Sequence, residues 1–319
     1  MIADRESTRP VGRLAPSPTG RLHLGHARTF LLAWWHTRSR GGTLALRLED
    51  LDAERVKPGL ADQCVRDLEW LGLDWDGAPQ IQSEHASAFD AAIAALLERG
   101  LAYPCVCTRR EIQSVQSAPH GVEAAGRYPG TCRERFTSIE HAERDTGRRA
   151  AVRFRVRAGD VTLDDRCAGR VVCNVAREVG DFPVARRLGM AAYQLAVVVD
   201  DAASGVTEIV RGDDLLPSAA RQTLLREALG YAEPLGFHVP LVLDADGRRF
   251  AKRSDDLSLA QLRERGTDPR TIVRWVARRS GMPVHDRVHA RDLLVEFDMQ
   301  RVPRAPLVCT PNDLAELAR

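Results

Sequence analysis

The sequence contains no run of 18 or more apolar residues, so no segment reads as a membrane-spanning helix. Its polar first 13 residues lack an apolar stretch behind their charges, which argues against a secretory signal. Lysine is nearly absent, with Lys57 and Lys252 alone among 46 basic residues. A charge excess is missing too: 44 acidic residues face those 46, so net charge argues neither for nor against nucleic acid, whose footprint can be a local patch. The seven cysteines form an odd set, which speaks against a disulfide framework. Internal repeats and low-complexity tracts are lacking as well. What remains is a chain of 319 residues, 44% of them apolar, enough for one large nucleotide-binding domain and a smaller neighbour. The expectation is a cytoplasmic, monomeric protein with no membrane partner.

The first regular pattern is a short strand at 11–15, broken by Pro16-Ser17-Pro18-Thr19-Gly20. Residues 24–38 then carry apolar side chains at helical spacing (Leu24, Ala27, Leu31, Trp34, Trp35), which predicts a helix ended by Gly41-Gly42. A second strand is expected at 43–48, with Glu49-Asp50-Leu51-Asp52 at its carboxyl end. Strand, helix, strand in so short a stretch is a βαβ unit, so the fold class is α/β with a Rossmann-like parallel sheet. Further helices are expected at 61–71, 86–99 and 218–229, and strands at 151–156, 171–173 and 241–243. The continuous apolar run 195–199 is of strand length and, ending at Asp200-Asp201, reads as a buried parallel strand.

The strand-to-helix junction carries His23-Leu24-Gly25-His26. A helix start offers unsatisfied N–H groups and a positive dipole end, which attract phosphate. Histidines three apart share a face and can donate to charge developing on a phosphoryl group. Gly25 leaves room for a nucleotide to approach the backbone. The blander alternative is a pair of capping residues at an exposed helix start. The strand and the proline-rich turn ahead of the motif tip the balance toward phosphate.

Together, Arg13-Leu14-Ala15-Pro16-Ser17-Pro18-Thr19-Gly20, His23-Leu24-Gly25-His26, Arg47-Leu48-Glu49-Asp50-Leu51-Asp52 and the run from Tyr193 through Asp201 to Val210-Arg211-Gly212-Asp213-Asp214 resemble the glutamyl-tRNA synthetase family of class I synthetases. The likeness spans about residues 11 to 260. It implies activation of L-glutamate by ATP, with Mg²⁺ accompanying the nucleotide. It places glutamate against Arg13, Leu14, Ala15, Pro16, Ser17, Glu49, Tyr193 and Arg211. Arginine suits the carboxylates and Glu49 the ammonium. ATP is implied at His23, Gly25, His26 and Lys252. The stretch Arg249-Phe250-Ala251-Lys252-Arg253 resembles the family's mobile Lys-Met-Ser-Lys-Ser loop and keeps only its second lysine. His23, His26 and Lys252 are thus the expected catalytic residues. Two positions depart from the family pattern: Leu188 stands where an aspartate is usual, and Asp213 where short members often carry alanine.

Cys105, Cys107 and Cys132 lie close in sequence and could bind one Zn²⁺, which wants four tetrahedral ligands. Tyr128 and His120 are both candidates for the fourth place. The resemblance favours Tyr128, because short family members carry a Cys-x-Cys…Tyr-x-x-x-Cys zinc site. The remaining cysteines read as small core residues.

The expected division is 1–104 as the first half of the catalytic domain and 105–148 as a loop-rich zinc-binding insertion. Residues 149–258 then form the second catalytic half with its lysine loop, and 259–319 a small, mostly helical appendage. About 66 residues follow Arg253, too few for a full anticodon-binding module. That shortness resembles family members that esterify glutamate onto queuosine in the anticodon of tRNA(Asp). A truncated glutamate–tRNA ligase and a non-catalytic paralogue are the alternatives.

Overall fold

The computed structural model describes residues 9–116, 127–248, 258–284 and 288–317. The chain opens with the expected βαβ unit: β1 (Val11–Leu14), α1 (Leu24–Arg38) and β2 (Thr43–Leu48). β1 and β2 are parallel, with Arg13 opposite Ala45. Helix α1 is buried on nearly every side from Leu24 to Thr37, so it is a core helix covering the sheet and not an amphipathic surface one. Trp34 and Trp35 are fully buried, and the Trp35 Nε1–H donates to the Ala290 carbonyl at 2.8 Å. Truncating either tryptophan to alanine should cost about 3–5 kcal/mol.

Next come α2 (Leu60–Trp70), β3 (Gln80–Ile81) and α3 (Ala86–Glu98), with β3 extending the parallel sheet beyond β2. The chain then changes character. β4 (Ala102–Cys105), α4 (Arg109–Gln116), α5 (Ile139–Thr146), β5 (Ala151–Phe154), a hairpin of β6 (Val161–Asp165) and β7 (Gly169–Cys173), α6 (Val175–Glu178), β8 (Phe182–Arg187) and β9 (Met190–Ala191) follow. Here the pairing is antiparallel, in a sheet ordered β4-β5-β8-β9 with β6-β7 apart.

The second half returns to parallel structure. α7 (Tyr193–Ala203), β10 (Glu208–Gly212), α8 (Leu216–Leu229) and β11 (Leu235–Val239) place β10 beside β11, while the Thr207 N–H donates to the Val11 carbonyl and brings β10 against β1. β12 (Val242–Leu243), α9 (Leu259–Glu264), α10 (Pro269–Arg279), β13 (Leu307–Val308) and α11 (Pro311–Leu317) complete the order. The C-terminal stretch is mostly helical, as expected, but β13 returns to pair with β12. Leu262, Trp275 and Leu317 share a core with Leu14, Leu31 and Trp35, so this stretch is stapled onto α1.

One element overturns the sequence expectation. Residues 195–199 are not a strand; they lie inside α7. Every side chain from Gln194 to Asp201 is buried, so the helix is apolar around most of its circumference and shows no amphipathic period. A short apolar run cannot distinguish a buried strand from a buried helix, and burial on all sides decides for the helix here. The segment 105–148 also holds more order than a loop: α4 and α5 lie within it, and its Val106, Phe136 and Ala142 build a small apolar cluster with Tyr103.

Candidate active site

The carboxyl ends of β1, β2 and β10 and the buried face of α7 meet around a group of charges. Arg13 sits on β1, Arg47 on β2, Glu49 just after β2, and Arg211 on β10. All four are buried, which would be costly for isolated ions. Asp201 on α7 offsets that cost: Arg47 Nη1 donates to its Oδ1 at 2.8 Å, Arg13 Nε lies 3.4 Å from the same oxygen, and Arg226 lies 3.5 Å from Oδ2. Arg47 Nη2 also donates to Glu49 Oε1 at 3.1 Å. Arg47 and Glu49 are therefore a buried pair inside a network. Behind it, Asp200 accepts from Gln82 Nε2 at 2.7 Å and pairs with His85 at 2.7 Å.

This network fixes the pocket before any ligand arrives. Burial pushes the Glu49 carboxyl up, opposed by Arg47 and Arg13. Burial likewise lowers Arg211 and Arg13, opposed for Arg13 by Asp201 and for Arg211 by Tyr193 and Asp201. Arg211 Nη1 is buried and has no partner among the described residues. An unpartnered guanidinium N–H in such a place suits a ligand carboxylate. Tyr193 lies in the same electrostatic cluster, under the influence of Glu49, Arg211, Arg13 and Asp201, and its ring is 36% exposed at the rim. It starts α7, and so enters from a helix N-terminus where a strand end was expected.

The loop between β1 and α1 links this cluster to the histidines. The Glu49 N–H donates to the Pro16 carbonyl at 3.0 Å, and Ser17 Oγ donates to Glu49 Oε2 at 3.5 Å. Ala15 is half-buried and Ser17 exposed, whereas the Leu14 side chain is fully buried in the main core and cannot itself line the pocket. His23 is the N-cap of α1, and its Nδ1 accepts from the Gly25 N–H at 3.1 Å. His26 Nδ1 accepts from the His23 N–H at 3.2 Å, completing a reciprocal cap. Accepting at Nδ1 puts the proton of each neutral ring on Nε2, the tautomer that can donate to a phosphate oxygen. Capping and phosphate binding, first weighed as alternatives, are thus compatible: the cap orients the rings, whose centroids lie 3.8 Å apart. A Cβ on Gly25 would lie 3.0 Å from the His23 ring, a tight contact that glycine avoids as that ring folds back. Lys252, with Arg249 and Arg253, lies outside the described residues. Ser258, the first described residue after them, bridges His23.

Away from this pocket, Cys105, Cys107 and Cys132 bring their sulfurs within 4.8 Å of one another. Tyr128 Oη sits 3.3 Å from Cys105 Sγ and 3.5 Å from Cys107 Sγ, while Cys107 and Cys132 sulfurs are 3.4 Å apart. Three soft thiols and a hydroxyl converging on one point fit a zinc-type donor set. Arg153 packs against the cluster, with its guanidinium 3.9 Å from the centre of the Tyr128 ring and its Nε donating to Cys105 Sγ at 3.2 Å. His120 lies outside the described residues.

Sequence reasoning missed several participants. Asp200 and Asp201 were visible as the end of an apolar run and of a family motif but without a role, and Arg226, Gln82 and His85 gave no local signal.

A parallel sheet whose strand ends carry buried arginines, beside a helix tip bearing paired imidazoles, is the arrangement of a nucleotide-dependent synthetase fold. The family model for tRNA synthetases class I (E and Q), catalytic domain, matches residues 11–316, and the chain belongs to this family. Among its relatives, the glutamyl-Q tRNA(Asp) synthetase of Rhodopirellula baltica is 46% identical over 93% of this chain and 96% of its own length. The glutamyl-Q tRNA(Asp) synthetase of Nocardia farcinica is also 46% identical, over 96% and 95%. A glutamate–tRNA ligase of Geobacter sulfurreducens is 38% identical over 95% of this chain but 64% of its own. The crystal structure of glutamate–tRNA synthetase from Elizabethkingia anophelis superposes with a TM-score of 0.83 at 26% identity, over 97% of this chain and 70% of that one. Among the described residues, no helix is long and apolar enough to cross a membrane.

Proposed function

We propose that this enzyme activates L-glutamate with ATP and transfers it to the queuosine base in the anticodon of tRNA(Asp). One observation carries the choice of acceptor. The chain matches relatives named for that reaction at 46% identity over nearly their whole length, but matches the glutamate–tRNA ligase at 38% over 64% of it.

In the first step, a glutamate α-carboxylate oxygen bonds to the α-phosphorus of ATP and the bond to the bridging oxygen breaks, releasing pyrophosphate. Arg13 and Arg211 hold the substrate carboxylates and Glu49 the ammonium, with Tyr193 as a wall and the backbone of 14–17 completing the pocket. His23 and His26 donate from Nε2 to the phosphoryl oxygens, with Gly25 beside the nucleotide, and Lys252 stabilises the leaving pyrophosphate. Mg²⁺ brought with ATP would neutralise triphosphate charge. In the second step a queuosine hydroxyl oxygen attacks the activated carbonyl, its proton departs, and the carbonyl–AMP bond breaks.

A single Zn²⁺ on Cys105, Cys107, Cys132 and Tyr128 would cross-link the segment after β4. The division into catalytic halves 1–104 and 149–258, insertion 105–148 and appendage 259–319 belongs to the same proposal, as do a cytoplasmic location and a monomeric state.

The deciding experiment incubates the protein with labelled glutamate, ATP and total tRNA, then maps the label by nuclease digestion. Label in the anticodon of tRNA(Asp) is expected. Label on a terminal adenosine would replace this function with glutamate–tRNA ligation.

A further inference from the structure

Arg211 does not stand alone. In the parallel pairing of β10 and β11 its register partner is His238, so the two side chains emerge side by side from one face of the sheet. Arg211 Nε donates to His238 Nε2 at 2.9 Å. An arginine has no acceptor to offer, so this contact requires a lone pair on Nε2 and a neutral ring with its proton on Nδ1. That Nδ1 lies 2.6 Å from Asp165 Oδ2, to which it donates. Asp165, at the end of β6, is itself held by the N–H groups of Cys167 at 2.9 Å, Ala168 at 2.7 Å and His238 at 3.1 Å. All three side chains are buried. A Cβ on Gly236 would come within 2.8 Å of Asp165 Oδ2, so that glycine keeps space for the carboxylate. The chain of contacts joins β6, β11 and β10 and ends on the guanidinium whose Nη1 has no partner among the described residues.

We propose that His238, oriented by Asp165, is a positioning residue that holds Arg211 by its Nε edge and thereby presents the rest of the guanidinium to a substrate carboxylate. Long arginine side chains lose much rotamer freedom when they bind, and fixing the guanidinium beforehand lowers that cost. The neutral ring suits the task because it accepts from a cation without adding a second positive charge beside the carboxylate site. This role rests on Arg211 being a glutamate ligand, as proposed above.

The test compares two half-mimics in glutamate-dependent exchange of pyrophosphate into ATP by the full chain. His238→Gln can place a carboxamide oxygen near the Nε2 position and keep the bond to Arg211. His238→Asn reaches only the Nδ1 position and loses it. The Asn variant should raise the KM for glutamate about 10- to 100-fold with little change in the KM for ATP, and Gln should recover most of the loss. Equal glutamate KM in the two variants, or an equal rise in the KM for ATP, overturns the role. Exchange by the unaltered chain checks the glutamate-activating function separately, so a silent wild type and an indifferent His238 are distinct failures. Imidazole ¹⁵N spectra of the unaltered protein give a readout that does not depend on variants folding or on activity. A neutral ring protonated on Nδ1 is expected; a proton on Nε2 rules out the bond from Arg211 and ends the proposal.

Discussion

The proposed glutamate pocket and the cysteine cluster are both built from groups that do not belong in an apolar interior, yet the fold accommodates them in opposite ways. Around Arg47 the solution is internal. Its guanidinium donates to Asp201 at 2.8 Å and Glu49 at 3.1 Å and lies 3.7 Å from Asp200, so buried charges compensate one another without an outside group. Around Cys105, Cys107 and Cys132 the apolar support is, among the described residues, the smallest of three core clusters, and the thiols gain little from each other. A preset charge network can wait for substrate, whereas converging thiols call for a metal to make their proximity favourable.

The largest expected effect breaks the first half of that contrast. Arg47→Met leaves Asp201, Asp200 and Glu49 short of a buried partner and should cost about 3–5 kcal/mol in chemical denaturation. A loss below about 1 kcal/mol would mean that the arginine does not hold the network. Next, His26→Ala removes a transition-state donor and should slow glutamyl-adenylate formation by about 100-fold or more. Its stability should fall by only about the worth of a helix cap, about 1 kcal/mol, which separates chemistry from folding at the same site. Cys107→Ser sharpens the other half of the comparison. Zinc content by elemental analysis should drop, and the melting temperature with it by roughly 2–6 °C, before exchange activity changes. A variant that retains full zinc removes the metal assignment.

The smallest effect concerns pH. Burial holds both His36, beside Glu208 and Arg40, and His238, beside Asp165, Arg211 and Arg13, below the usual imidazole value of 6.5. As pH falls below that value, the unfolded chain takes up protons that the folded one refuses, so stability is full above it and declines below. The slope should stay below the limit of about 1.4 kcal/mol per pH unit for each histidine, because it reaches that limit only when the folded and unfolded values lie far apart. Denaturation midpoints that stay flat on acidification from neutral pH would contradict this.

How much was legible in the sequence depended on distance along the chain. The βαβ opening and the His23–His26 tip could be read because their residues are neighbours and their pattern is local. Arg13, Glu49 and Arg211 could be named through the resemblance, and the structure brings them into one buried cluster with Tyr193 at its rim. The strand expected at 195–199 failed because a helix buried all round carries no period to betray it. Leu14 was grouped with the pocket by its place in a motif, yet alternation along β1 turns its side chain into the core while Arg13 faces the charges. His238 and Asp165 left no sequence trace, being separated by 73 positions and joined only by sheet packing.

By itself, the sequence determined the local frame, because spacing within a few residues places imidazoles on a helix tip and Glu49 at a strand end, and the class of chemistry followed from the resemblance those motifs carry. Only tertiary structure decided which charges neutralise which, since Asp201, Arg47, Arg13 and Arg226 come from four separate elements. Electrostatic energy depends on separation in space and on the exclusion of water, and neither quantity is written in the order of residues.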